Sequence, residues 1–109
     1  MILSELKTIL DGSGFPISYS HFTPSENNPV PDPPFVCYLV TSSSNFSADN
    51  QVYKQLQNVQ IELYTDNKDL EAEATIETIL NDHEIPFETS ETFIESESLY
   101  QKIYEVRLI

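Results

Sequence analysis

The sequence predicts an α+β domain: a mainly antiparallel β-sheet with two helices packed on one face, in the order α-β-β-α-β-β. Three observations carry this. Apolar residues recur at helical spacing in two separate places, an unbroken apolar run and an alternating run lie between them, and a second alternating run closes the chain.

In the first helix, expected from about Met1 to Leu10, Ile2, Leu3, Leu6, Ile9 and Leu10 form one apolar stripe, and Gly12 or Gly14 supplies a left-handed stop. Six of the seven prolines then fall between Pro16 and Pro34, which forbids a helix and predicts an extended loop with room for a short edge strand at Ile17 to Phe22. FVCYLV at Phe35 to Val40 suits a strand buried on both faces, the candidate for the centre of the sheet. Thr41 to Asn50 reads as a polar loop in which Phe46 either folds back on the core or docks on a neighbouring subunit. Val59, Ile61 and Leu63 alternate with Gln60 and Glu62 in a half-buried strand. Val52 and Leu56 have the opposite parity, so one continuous strand needs a bulge near Gln57 and Asn58.

Asp66 or Asn67 is the expected N-cap of the second helix, over about Lys68 to Asp82, with Ala72, Ile76, Ile79 and Leu80 as its stripe. Beyond Pro86, Phe87 to Glu95 and the strand carrying Tyr100, Tyr104, Val106 and Leu108 on one face predict a hairpin with its tip at Ser96 to Ser98. The 109 residues make one domain, 1–109, with the proline-rich loop at about 16–34.

Eighteen acidic against five basic side chains give a net charge of −13, which repels phosphate and anionic lipid and disfavours nucleic-acid wrapping or membrane binding. The sole cysteine, Cys37, cannot pair within the chain, and in an apolar strand it suits packing better than catalysis. His21, His83 and Cys37 are scattered without metal-ligand spacing. Glu71, Glu73, Glu77, Glu88, Glu91, Glu95 and Glu97 read as solvated faces, with no acid and base singled out among them. The expectation is therefore a chain with no enzymatic activity, no cofactor and no metal.

NFSADNQVYKQLQNVQIELY at Asn45 to Tyr64, TDNKDLEAEATIE at Thr65 to Glu77 and IESESLYQKIYEVRL at Ile94 to Leu108 follow one pattern. An aromatic and an SADN tetrad lead into a strand that ends in an ELYT turn. This resembles the tail-completion or tail-terminator (head–tail joining) proteins of long-tailed phages and prophages of Gram-positive bacteria. The resemblance implies a structural subunit, made in the host cytoplasm, that forms a ring, commonly a hexamer, at the head-proximal end of the virion tail. Its implied partners are its own copies, the tail tube protein and the head connector proteins, while DNA passes through without specific binding and no membrane is involved. An acidic wall suits that passage, since it does not hold phosphate. Loops on a rigid sheet usually carry binding, so Asn45, Phe46, Asp49, Tyr53 and Glu97 are the candidate subunit or tail interface. The rival expectation is an acidic DNA mimic that inhibits a basic host nucleic-acid-binding protein.

Overall fold

The computed structural model describes residues 1–23, 30–48 and 51–109, with the backbone alone over 45–48 and 51–55. The elements are α1 (Leu3–Asp11), β1 (Ile17–Tyr19), β2 (Phe35–Ala48), β3 (Gln51–Thr65), α2 (Leu70–Asp82), β4 (Phe87–Ile94) and β5 (Leu99–Leu108). The strands form one sheet in the order β1-β2-β3-β5-β4, antiparallel at every pairing except β1 with β2. The fold is α+β with both helices against the sheet, as the periodicities predict, and β1 is the short edge strand anticipated after Pro16.

One cluster of buried side chains joins the layers: Leu6 and Leu10 of α1, Ala72, Ile76 and Leu80 of α2, and the even or odd alternates Val36, Tyr38, Val59, Ile61, Leu63, Tyr104, Val106 and Leu108 of the strands. Register explains why these meet, because Val36 lies opposite Leu63, Tyr38 opposite Ile61, and Ile61 opposite Tyr104. Gly12 stays right-handed and the left-handed turn falls at Gly14, φ +82°, where the absence of a side chain removes the strain. The helix α2 starts later than expected and is capped by Asp69, not Asp66 or Asn67. Asp69 has extended backbone and its carboxylate accepts the Ala72 N–H at 3.0 Å.

Four further expectations are corrected. The central strand is β3, flanked by β2 and β5, while Phe35 to Val40 lies one strand nearer the edge. Glu62 is buried on the side away from the helices because its carboxylate accepts hydrogen bonds from Gln60 Nε2 (2.8 Å), Gln101 Nε2 (3.0 Å) and the Tyr64 hydroxyl (3.2 Å). A polar alternate in β3 is thus buried by satisfying it, which sequence alternation alone reads as exposure. The third correction concerns Thr41 to Ala48, which continue β2 as strand rather than leaving it as a loop. The bulge expected in β3 near Gln57 and Asn58 is not there, since β3 pairs with β5 in unbroken register from Gln57 to Thr65; the extra residue is Thr41 of β2, between the pairs Val40–Val59 and Ser42–Asn58. A second shift lies between Phe46 and Ser47, where Lys54 and then Val52 are their partners.

Candidate assembly interface

Because β2 and β3 run on while their neighbours stop, the hairpin becomes a free arm. β1 ends at Tyr19, opposite Tyr38, and β5 ends at Leu108, opposite Gln57. From Ser44 to Ala48, paired with Leu56 to Gln51, the two strands have only each other among the described residues. Five residues of strand extend about 16 Å at the usual rise. The radius of gyration, 15.3 Å, and the long axis of 51 Å reflect this projection; a compact chain of this size has a radius near ~13 Å.

The root of the arm is fastened by side chains. The Tyr19 hydroxyl accepts the Val40 N–H at 3.1 Å, standing in for the strand that β1 does not extend, and Tyr19 meets Tyr38 edge-on at 5.2 Å. At the bulge the Thr41 hydroxyl donates to the Asn58 carbonyl (3.2 Å), Asn58 Nδ2 donates to the Ser42 hydroxyl (2.8 Å), and Arg107 Nε donates to Asn58 Oδ1 (3.3 Å). Asn58 therefore ties β2, β3 and β5 together where the arm leaves the body. A cleft of about 780 Å³ opens beside that point, walled by Phe87, Val106 and Ile109 with Glu88, Glu105 and Arg107 at its rim.

The expected interface residues separate into two places. Asn45 and Phe46 lie on β2 and Tyr53 on β3, all in the arm by backbone register, and their side chains are outside the described residues, as is Asp49 altogether. Glu97 is exposed in the β4–β5 turn, which lies at the end of the sheet where Thr65 pairs with Tyr100, the far end from the arm. The structure does not bring it together with the other four.

At that far end lies a pocket of about 330 Å³ that the sequence did not announce, formed by His21, Phe22, Phe35, Cys37, Tyr64 and Glu97 among others. Phe35 stacks on Tyr64 at 5.1 Å and meets Phe22 edge-on at 5.3 Å. Burial, then the charge of Glu62, pushes the Cys37 thiol up to about 11, so at neutral pH it keeps its proton and is a poor nucleophile. The spacing of residues along the chain held no signal for this pocket, because His21 and Phe22 meet Phe35 and Cys37 of β2, Tyr64 of β3 and Glu97 of the β4–β5 turn only once the chain is folded.

Glu73 corrects the reading of the acidic helix as wholly solvated. It is 7% exposed and lies between Lys68 (2.8 Å) and Lys102 (3.6 Å), while Lys68 also reaches Glu91. Beside it the Tyr104 hydroxyl donates to Glu77 Oε2 at 2.9 Å. Two of the five cations thus fasten α2 to the C-terminal hairpin. Among the described residues no group of three or more His, Cys, Asp or Glu side chains is placed to hold a metal ion, and no helix is long and apolar enough to cross a membrane. In comparisons with known proteins, no family model and no curated protein matches the chain.

Proposed function

We propose that the chain is a structural subunit of phage assembly: a tail terminator that joins copies of itself in a ring at the head-proximal end of the tail tube, without turnover. The observation that supports this is the division of charge along the fold. Between Asp32 and Glu62 the only charged residues are Asp49 and Lys54, so the whole net charge of −13 lies outside the segment that builds β2, the arm and most of β3. An acidic body repels passing DNA, and a projecting hairpin with no net charge lets equally acidic copies approach with little like-charge repulsion.

The second reading, an acidic inhibitor that mimics DNA, draws on exposed carboxylates at Asp82, Glu84, Glu88, Glu95 and Glu97. It expects a salt-sensitive complex with a basic protein and makes no use of the arm. Electron micrographs of particles induced from the phage or prophage carrying the gene, intact and deleted, separate the two. Full heads detached from tails of irregular length support the terminator; normal joined virions without the gene remove it and favour the inhibitor.

A further inference from the structure

Resting on the assembly reading, we infer that the contact between copies is the arm itself: the free edge of β3 in one copy pairs with the free edge of β2 in the next, making one antiparallel sheet shared between chains. A two-stranded ribbon alone is marginally stable in water, and an unpaired strand edge is a template for another strand. The arm has both properties and two such edges. One runs along β2 beyond Val40, where the Tyr19 hydroxyl supplies the last partner, and the other along β3 before Gln57, where β5 ends. Of the two strands that end the sheet, β1 is three residues long, and β4 carries Glu88 and Glu91 with Glu95 next in sequence, so a neutral arm edge approaches another arm edge with less like-charge repulsion than two β4 strands would meet.

Direction also fits. Copies related by rotation about an axis along the arms present β3 of one to β2 of the next running oppositely, as antiparallel pairing needs. The contact uses different edges on the two copies, so it continues from copy to copy until it closes.

The register gives the variants that test this. The Val36 N–H bonds to Pro16 and the Tyr38 carbonyl accepts from Ser20, so these residues present their backbone groups away from β3. The one-residue bulge at Thr41 moves that role to Ser43 and Asn45, and Gln55, opposite Asn45, presents its own outward on the other side. Proline at either position removes an outward N–H while leaving the hairpin its internal bonds. Light scattering on the purified wild-type chain should give a multiple of 12.5 kDa. Asn45→Pro and Gln55→Pro should each be monomeric with unchanged far-ultraviolet circular dichroism, and an equimolar mixture of the two should give a dimer, since each retains the edge the other lacks. As a check independent of proline, benzoylphenylalanine placed at Asn45 should cross-link on irradiation to residues 51–56 of another copy. A wild-type chain that stays monomeric, variants that keep the wild-type mass, a mixture that gives no dimer, or cross-links to β4 alone would each overturn the inference. An oligomer indifferent to these variants leaves the ring reading standing and removes only this contact, whereas normal virions after gene deletion remove the reading whatever the arm does.

Discussion

The two halves of the β2–β3 hairpin are the same pair of strands in two environments. At the root, Phe35 to Tyr38 and Ile61 to Leu63 are buried under helices on one side and an aromatic and amide layer on the other. Past the Thr41 bulge, Ser42, Ser43 and Ser44 are exposed, and from Ser44 onward the described residues add no third strand to the pair. Strand formation is thus shared along the whole hairpin, whereas stability is confined to the part with neighbours, because burial rather than backbone pairing supplies most of the net free energy.

Ile61→Ala should have the largest effect. Ile61 is fully buried at the centre of the sheet, and such a truncation costs about 2–5 kcal/mol; urea unfolding should register it, while Ser44→Ala in the arm leaves the midpoint unchanged.

Alkaline titration comes next. Burial raises Cys37 to about 11 and Tyr64 to about 12, and it raises Tyr104 as well, with the charge and hydrogen bond of Glu77 adding to the effect. Groups raised on folding give stability that is complete below their ordinary values, near 9 and 10. The unfolded chain then releases protons that the folded chain keeps, so stability should fall as pH rises from about 9 toward 12, each fully buried group contributing about 1.4 kcal/mol per pH unit. Tyr104→Phe should flatten that slope in denaturant midpoints taken across the range.

Lys102→Met leaves the buried Glu73 with Lys68 alone and should cost about 1–2 kcal/mol, reversed in part by a second change, Glu73→Gln. Asn58→Ala, the smallest, removes the tie between Ser42 and Arg107 for about 1 kcal/mol, and hydrogen exchange should quicken in the arm more than in β5.

Much of the fold was legible because its signals are local. The stripe Leu6–Leu10, the stripe Ala72–Ile76–Leu80 and the shared face of Tyr104, Val106 and Leu108 are periodicities that each element carries within itself. The candidate interface was legible only as a composition: Asn45, Phe46 and Tyr53 stand in a stretch of no net charge whose first part reads as a loop, since Ser and Asn are poor strand formers and nothing nearby in sequence states that Gln51 to Asn58 will pair with it. In sequence Glu97 groups with them because it stands at a turn, and the topology puts it at the opposite end of the sheet.

What the chain by itself determined is the class of elements, their order and the acidic balance, all properties of neighbouring residues and of composition. What only the tertiary structure decided is which partner each polar group finds. Gln101 reaches Glu62 across 39 positions and Lys102 reaches Glu73 across the sheet–helix boundary, so two carboxylates that read as solvated are buried. Where β1 and β5 stop relative to β2 and β3 is likewise a matter of register between distant segments, and that register is what turns a polar stretch into an arm with two free edges.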